Sequence, residues 1–235
     1  MLSLVEQQSR ESEAFVESNH RIANHLSLVV SILRLEKESV PKTVLLTREK
    51  AAAVLDECGR RIDSIARVHR LLAHSPPRSS SLELGEYLLE TARRIISGIS
   101  TDERIALQFD CAEPFHVPPE DAVSLGLMVG ELVTNSVKYA HPSGVRGCIG
   151  LLCRREADGT IVVAVCDDGV GFPEGFDVER ERGSVGFRLI WSLAQRLRAK
   201  IEFDNSCLGL VVTIRVPVQK PPSVHGISHV SAAKS

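Results

Sequence analysis

Several features are scarce in this chain of 235 residues, and each scarcity argues against a class of protein. Aromatic residues make up only 4% of the chain, which argues against stacking platforms for single-stranded nucleic acid. The formal net charge of −2 predicts no strong attraction to nucleic acid or to an anionic membrane. No apolar run approaches the roughly 18 to 20 residues of a membrane span, and the N-terminus does not resemble a signal peptide. We therefore expect no nucleic acid partner and no membrane span.

The cysteines are few and show no metal-binding pattern. The six thiols include no CxxC pair and no paired Cys/His spacing, so a structural zinc is not expected. Cys148 and Cys153 lie in a predicted strand with four residues between them, which would turn them to opposite faces. We interpret all six as reduced thiols, which indicates a cytoplasmic protein.

Hydrophobic periodicity predicts two long amphipathic helices in the first third of the chain. The first runs from about residue 5 to 38 and is ended by Pro41. The second runs from about 44 to 74, with a coiled-coil seam that includes His69 as a packing residue. Together they predict an antiparallel hairpin, and two hairpins would bury their apolar stripes as a four-helix bundle in a homodimer. The stripe of the first helix consists of Phe15, Ile22, Leu26, Val29 and Leu33.

One histidine of the first helix stands apart from this stripe. In the segment ESNHRIANHLSLVVSIL, His20 lies roughly 140° from the middle of the stripe, at about 100° per residue. Its neighbours on that side are polar and include Glu17 and Asn24. The sequence therefore predicts a solvent-exposed histidine in the middle of a helix. Both a solvated side chain without a role and a reactive imidazole fit this position.

The pattern changes to mixed α/β after the linker HSPPRSSS, residues 74–81. Helices are predicted in LELGEYLLETARRIIS, PPEDAVSLGLMVGELVTNSVKYA and GSVGFRLIWSLAQRLR. Strands are predicted in ERIALQFDC, GCIGLLCRRE, TIVVAVCDD, KIEFDN and GLVVTIRVPV. The predicted fold class is α+β, with domains at residues 1–76 and 82–218 and a disordered tail at 219–235.

The segment GELVTNSVKYA carries three polar residues on one helix face. Glu131, Asn135 and Lys138 follow a spacing of four and then three residues. Carboxylate and amide oxygens suit Mg²⁺, and an ammonium group suits phosphate. A Mg²⁺-bound polyphosphate and an ordinary solvated helix face both agree with this pattern.

Two glycine-containing segments follow in the second half of the chain. In VCDDGVGFPEGFD, Asp167 ends a predicted strand, where its carboxylate could accept a hydrogen bond from an exocyclic amine such as that of adenine. Gly169 and Gly171 then allow the backbone to approach a ligand closely. In RGSVGFRLI, Gly183 and Gly186 stand at a predicted helix N-terminus, which favours phosphate.

In this order, the segments resemble the GHKL ATP-binding fold shared by gyrase, the large heat-shock chaperones and histidine kinases. ELVTNSVKYA resembles its N-box, DDGVGFP its G1 box and GSVGFRLI its G2 box. Residues 172–182, between the last two boxes, are predicted to form a mobile lid. ESNHRIANHLSLVVSIL and RIDSIARVHRLLAHS resemble the dimerisation and phosphoacceptor hairpin of histidine kinases related to the HWE subgroup. The resemblance spans about residues 10 to 217.

Three differences separate the chain from HWE kinases and their relatives. Gly130 stands where related N-boxes usually carry Asn, and Tyr139 stands where HWE kinases have His. A Trp-x-Glu element is not found, since Trp191 belongs to the last predicted helix. These differences indicate a sister group of the HWE kinases.

The resemblance implies an ATP-dependent protein histidine kinase of two-component signalling. His20 would take the γ-phosphoryl group of ATP and pass it to an aspartate of a response-regulator receiver domain. Glu17 would orient or deprotonate the imidazole ring, Glu131 would act in catalysis, and Glu131 with Asn135 would hold Mg²⁺. The implied nucleotide-binding residues are Asn135, Lys138, Tyr139, Asp167, Gly169, Gly171, Gly183, Ser184 and Gly186.

Two other functions stay open. A histidine phosphotransferase of the same architecture would shuttle phosphoryl groups without using ATP. A GHKL scaffold would bind a partner through the hairpin without any phosphotransfer. The intact Glu131, Asn135 and Asp167 favour the kinase. Only about fourteen residues precede the hairpin match, so we expect no sensor domain there, and the chain is either an orphan kinase or the core of a longer one.

Overall fold

The structure is a computed structural model. It describes residues 2–39, 47–73, 81–99, 104–142, 145–173, 175–177, 184–206 and 208–217. The predicted linker, the stop at Pro41, most of the lid and the tail from residue 219 lie outside these residues. The predicted domain boundaries therefore stay predictions.

Two long helices come first, as predicted: α1, Leu2–Ser39, and α2, Arg48–Ala73. Helix α2 begins later than predicted because Thr47 caps it, accepting a hydrogen bond from the Lys50 N–H at 3.3 Å through its hydroxyl oxygen. The two helices are antiparallel, since His25 contacts His69 while Glu36, further along α1, contacts Arg61, an earlier residue of α2. Nε2 of His69 lies 2.6 Å from Nδ1 of His25, across the two helices of the hairpin. This contact agrees with the packing role predicted for His69.

The buried face of α1 differs from the predicted stripe. Ile22, Leu26 and Leu33 are 43%, 60% and 47% exposed in the single chain, and their burial between two hairpins of a dimer stays a prediction. Leu55 of the predicted α2 seam is likewise 70% exposed. The buried residues of α1 are spaced by three and four positions along a neighbouring face, which packs on α2 and on the second domain. Among the α1 side chains that the structure describes, these are His25, Leu28, Ile32 and Glu36.

The described residues of the second domain form three further α-helices, a π-helical turn and seven strands. The helices are α3, Leu84–Ile99; α4, Pro119–Asn135, followed by the π turn Ser136–Ala140; and α5, Val185–Leu197. The strands are β1, Leu82–Glu83; β2, Ile105–Cys111; β3, His116–Val117; β4, Gly147–Arg155; β5, Ile161–Asp167; β6, Lys200–Asp204; and β7, Val211–Val216. The predicted α+β class is confirmed.

Five strands form one sheet in the order β2-β4-β5-β7-β6. Strands β2 and β4 are parallel, and the other neighbouring pairs are antiparallel. Alternate residues of β4 are buried, which gives the sheet one apolar face. The core lies between that face and helices α3, α4 and α5. Strands β1 and β3 form a separate two-stranded ladder with Leu82 opposite Val117.

Helix α4 is the central element of this packing. All residues from Ala122 to Val129 are buried, because α4 is covered by the sheet, α3, α5 and α2. Pro119 occupies its first turn, as predicted. The prediction of a regular helix as far as Ala140 is wrong in its last turn, where residues 136–140 are π-helical. π-helical turns commonly occur at functional sites, and this one changes the direction of the side chains that follow Asn135.

The described part of the chain contains no helix that is long and apolar enough to span a membrane. Five of the six cysteines fall within it, and all five are free thiols. Cys153 is buried while Cys148 is half-buried, in agreement with the predicted alternation along the strand.

Candidate nucleotide-binding site

A cavity of about 700 Å³ lies between α4, the π turn, the end of β5, the start of α5 and helix α2. Most of the predicted site residues line it together. They are Glu131, Asn135, Lys138, Tyr139, Asp167, Gly171, Ser184 and Gly186.

Four predicted site residues either do not line the cavity or lie outside the described part of the chain. Gly169 is not among the lining residues, and Gly183 lies outside the described residues. His20 is exposed on α1, as predicted, while the side chain of Glu17 is outside the described part. Glu36 lies 16 positions after His20 in the same helix and lines the cavity. At a rise of 1.5 Å per residue, His20 is therefore roughly 24 Å along α1 from the level of the cavity.

The carboxylate of Asp167 is buried on the cavity wall and is held by three hydrogen bonds. Its Oδ2 accepts a hydrogen bond from the Ser136 hydroxyl at 2.8 Å. Its Oδ1 accepts from the backbone N–H of Gly169 at 3.1 Å and of Leu210 at 3.2 Å. These bonds fix the orientation of the carboxylate, so that a remaining lone pair can be directed at a ligand. The sequence analysis did not identify Ser136, although it directly follows Asn135.

Close backbone packing behind Asp167 depends on two glycines. A Cβ atom on Gly169 would collide with the backbone and side chain of Ala140, so this glycine lets β5 approach the π turn. A Cβ atom on Gly209 would collide with the carbonyl oxygen of Asp167, and Gly209 also has φ of +84°. The sequence analysis missed Gly209, since a glycine in the turn CLGLVV gives no local sign of its contact with β5.

The opposite end of the cavity is formed by the start of α5. Ser184 is the N-cap of this helix, and its hydroxyl oxygen accepts a hydrogen bond from the Phe187 N–H at 3.3 Å. A Cβ atom on Gly186 would lie 2.7 Å from Oε2 of Glu131, so only glycine leaves room for that carboxylate. The N-terminus of α5 and the Glu131 carboxylate therefore form one surface, because Gly186 has no side chain between them. The helix dipole adds a positive potential at this surface.

Glu131 is bound by an arginine of the helical hairpin. Arg61 of α2 donates from Nε and Nη2 to the two carboxylate oxygens of Glu131, at 2.7 and 2.8 Å. The same guanidinium pairs with Glu36 of α1 and lies 3.7 Å from Glu57. Burial disfavours the charged guanidinium, but the hydrogen bonds and negative charges of its partners outweigh this and raise the pKa of Arg61 above its ordinary value. The sequence analysis did not identify Arg61.

Lys138 is also engaged with the hairpin. Its Nζ lies 3.2 Å from Oε2 of Glu57, a residue of α2 that lines the cavity. Burial raises the pKa of Glu57, but Arg60, Arg61 and Lys138 together lower it below its ordinary value. Three bases and three acids therefore meet where the hairpin covers the cavity. They are Arg60, Arg61, Lys138, Glu36, Glu57 and Glu131.

An aromatic cluster forms one wall of the cavity. Phe172 stacks on Phe176 with ring centroids 4.4 Å apart, and Phe187 and Phe203 lie 6.5 and 6.0 Å from Phe172. Asn205 fixes the start of the lid segment by accepting a hydrogen bond from the Phe172 N–H at 2.7 Å. This wall offers an apolar face to a planar ring. The low aromatic content gave no indication of this cluster, because its members come from three separate segments.

Two neighbouring residues belong to other parts of the domain. Gly130 lines an adjacent cleft between α2, α3 and α4, which shares Arg61 and Glu131 with the cavity, and Gly130 itself does not line the cavity. Asp168 accepts hydrogen bonds from the Cys148 N–H at 2.7 Å and from His141 at 2.9 Å. The bond from Cys148 is the main cause of a lowered pKa at Asp168, whose role here is structural.

The layered α/β domain and its cavity define the GHKL nucleotide-binding class, here joined to a helical hairpin with an exposed histidine. Residues 17–99 match the family described as histidine kinase, and residues 102–216 match the histidine kinase-like ATPase domain. The chain belongs to the histidine kinase family.

Three relatives illustrate this membership. Blue-light-activated histidine kinase 2 of Erythrobacter litoralis is 28% identical over 209 residues, which cover 87% of this chain and 57% of that protein. Sensor histidine kinase PdtaS of Mycobacterium tuberculosis is 28% identical over 211 residues, which cover 86% of this chain and 39% of that protein. The structure of the Erythrobacter litoralis EL346 blue-light activated histidine kinase superposes with a TM-score of 0.65 and 26% identity, over 88% of this chain and 63% of that one. The chain thus spans between 39% and 57% of the length of the first two relatives.

We expect Gly209→Ala to destabilise the second domain more than Gly175→Ala. Both glycines have positive φ, so each substitution carries a backbone strain of about 1–3 kcal/mol. Only at position 209 does the added Cβ meet the Asp167 carbonyl, whereas nothing lies within 4 Å of it at position 175. Urea denaturation of both variants measures the difference in the free energy of unfolding. Equal losses at the two positions would contradict the packing role of Gly209.

Proposed function

We propose that this chain is an ATP-dependent protein histidine kinase that phosphorylates His20 and passes the phosphoryl group to an aspartate of a response-regulator receiver domain. One observation carries the proposal. A cavity lined by Glu131, Asn135, Lys138 and Asp167 lies in the same chain as an imidazole exposed on a long helix. Membership of the histidine kinase family supports the same function.

The adenine of ATP would occupy the end of the cavity near Asp167. The carboxylate is already oriented by Ser136 and Leu210, so it can accept a hydrogen bond from the exocyclic amine without further reorganisation. Phe172 and Phe203 supply apolar contact for the ring face. This arrangement selects an adenine over a base that has a carbonyl at the same position.

The phosphates of ATP would lie toward Lys138 and the N-terminus of α5. Lys138 supplies a positive charge, and the α5 N–H groups near Gly186 supply donors. Asn135 and Glu131 fit a role as Mg²⁺ ligands, since both carry oxygen donors and line this part of the cavity. The metal supplies charge neutralisation on the polyphosphate. Within the described residues no group of three or more His, Cys, Asp or Glu side chains is arranged so that it could hold a metal ion, so phosphate oxygens would complete the coordination.

The transfer step forms a nitrogen–phosphorus bond at His20. A ring nitrogen of the neutral imidazole attacks the γ-phosphorus, the bond to the β-phosphate oxygen breaks, and ADP leaves with the bonding electrons. The proton of the ring passes to a base, for which Glu17, one turn before His20, is the candidate. The exposure of His20 then leaves the phosphoimidazole accessible to the aspartate of a receiver domain.

We expect Asp167→Asn to weaken binding of a non-hydrolysable ATP analogue by at least about tenfold, the value of one lost hydrogen bond of about 1.4 kcal/mol. Asp168→Asn is the matched control, because the neighbouring carboxylate does not line the cavity. Isothermal titration calorimetry on both purified variants measures the two affinities. Equal affinity of Asp167→Asn and the unmodified chain would refute the assignment of the adenine site.

We expect His20→Gln to abolish labelling of the chain by γ-³²P-ATP, because the acceptor nitrogen is lost. His116→Gln is the control, since this histidine is also exposed but belongs to the second domain. The label in the unmodified chain should be lost in acid and survive in base, as for a phosphoramidate. Labelling that requires a phosphorylated receiver domain would instead identify a phosphotransferase, and partner signalling that survives His20→Ala would identify a scaffold.

We further propose that the chain forms a homodimer through the exposed stripe of α1. Ile22, Leu26 and Leu33 are each more than two-fifths exposed and lie along one face, where a second hairpin would cover them. Pairing of two hairpins into a four-helix bundle buries this face in both copies.

We expect Leu26→Asp to weaken self-association by at least about tenfold, because it places a charge in an apolar helix interface. Ser27→Asp is the matched control, since the adjacent Ser27 is exposed and polar. Analytical ultracentrifugation over a range of concentrations measures the dimer affinity. A monomeric unmodified chain, or an equal effect of the two substitutions, would rule out this interface.

A further inference from the structure

Arg61 connects the hairpin to the nucleotide-binding domain at the mouth of the cavity. It is 5% exposed and binds both carboxylate oxygens of Glu131, which lies 70 residues away in the sequence. Its remaining partners, Glu36 and Glu57, come from the two hairpin helices. One guanidinium group thus joins three helices of two domains.

The cluster around Arg61 is balanced in charge. Arg60, Arg61 and Lys138 face the three carboxylates of Glu36, Glu57 and Glu131. Removing one partner from a buried ion network leaves an uncompensated charge, which is strongly unfavourable. The cluster is therefore sensitive to the loss of any one of the six groups and to any charge that is added.

Two groups of this cluster, Glu131 and Lys138, are also those proposed to bind the polyphosphate of ATP and its Mg²⁺ ion. Glu131 carries one negative charge, which the Arg61 guanidinium already compensates through both oxygens, so a Mg²⁺ ion bound to the same carboxylate would repel the guanidinium and weaken this pair. Lys138 pairs with Glu57, so attraction of its ammonium group to a phosphate would weaken this second contact. A polyphosphate placed beside Glu36 and Glu57 also meets their negative charge at close range. Nucleotide binding and the Arg61 cluster consequently compete.

The cluster lies far from His20 along the hairpin. Glu36 is near the end of α1, and Arg188 of α5 binds the same end through the Leu35 carbonyl at 2.6 Å and Glu38 at 3.0 Å. In this arrangement the cavity is held at a level roughly 24 Å along α1 from His20. A γ-phosphoryl group in the cavity is out of reach of the imidazole of the same chain.

We propose that the Arg61 cluster is an autoinhibitory latch, which holds the nucleotide-binding domain away from His20 and is opened by an adenine nucleotide that competes for Glu131 and Lys138. The proposal rests on the proposed function for the identity of the nucleotide. The latch itself is defined by contacts that exist without any ligand.

The test compares Arg61→Met and Glu36→Gln with Arg94→Met in the full chain. Arg94 makes an exposed ion pair with Glu90 at 2.7 Å on α3, so its substitution removes an arginine of similar chemistry away from the latch. The first readout is the distance between fluorophores at Ser31 of α1 and Arg196 of α5, two exposed positions outside the cluster. The second is the affinity for a non-hydrolysable ATP analogue, and the third is the rate of His20 labelling.

We expect a longer distance in Arg61→Met and Glu36→Gln without nucleotide, and in the unmodified chain only after nucleotide is added. Both variants should bind the analogue about tenfold more tightly, as expected if about a tenth of the unmodified chains are open. Their labelling of His20 should be faster, and Arg94→Met should match the unmodified chain in all three readouts. If Arg61→Met does not fold, Arg61→Lys, which keeps the charge but loses the bidentate geometry, should show the same changes in smaller size.

Unchanged distances and affinities in Arg61→Met and Glu36→Gln would overturn the latch. Weaker nucleotide binding in both variants would also overturn it, since the cluster would then support the nucleotide. Failure of the unmodified chain to bind the analogue would refute the nucleotide as the opening agent. Absence of His20 labelling, with the changes in distance and affinity intact, would overturn the proposed kinase function and leave the latch standing.

Discussion

The carboxylate of Asp167 joins three elements of the second domain, and the shape of the cavity depends on this junction. It connects the π turn through Ser136, its own strand through Gly169 and the start of β7 through Leu210. A buried carboxylate needs such partners, because its desolvation would otherwise destabilise the fold. The wall of the cavity around Asp167 is therefore held in one orientation by three hydrogen bonds.

The hairpin divides the surface of α1 into three faces with different roles. The face of His25 and Ile32 packs within the chain, while the face of Ile22 and Leu26 is apolar and exposed. At 100° per residue, His20 lies about 160° from Ile22 and about 140° from His25. The imidazole can therefore stay accessible to a receiver domain even when both apolar faces are covered. The same geometry separates the packing of the hairpin from the chemistry proposed for His20.

Residues of the site that are close in the sequence were predictable, and residues joined across the fold were not. The spacing of Glu131, Asn135 and Lys138 puts them on one face of a single helical segment. This spacing was enough to predict that they line one cavity. Ser136 and Asp167 are 31 residues apart, and Arg61 and Glu131 are 70 apart. Their pairing depends on how α2, α4 and β5 pack, which no local pattern encodes. Gly169 was recognised as a special position, but the reason is its contact with Ala140.

The sequence by itself determined the local elements: two long amphipathic helices, an alternating sheet, a histidine on a polar face and glycines after a strand. Local periodicity and backbone freedom suffice for these, because they depend on neighbours within a few residues. Only the tertiary structure decided which apolar face of α1 is buried and that Arg61 occupies both oxygens of Glu131. These outcomes follow from competition between alternative contacts of similar chemistry, and the packing of distant segments selects among them.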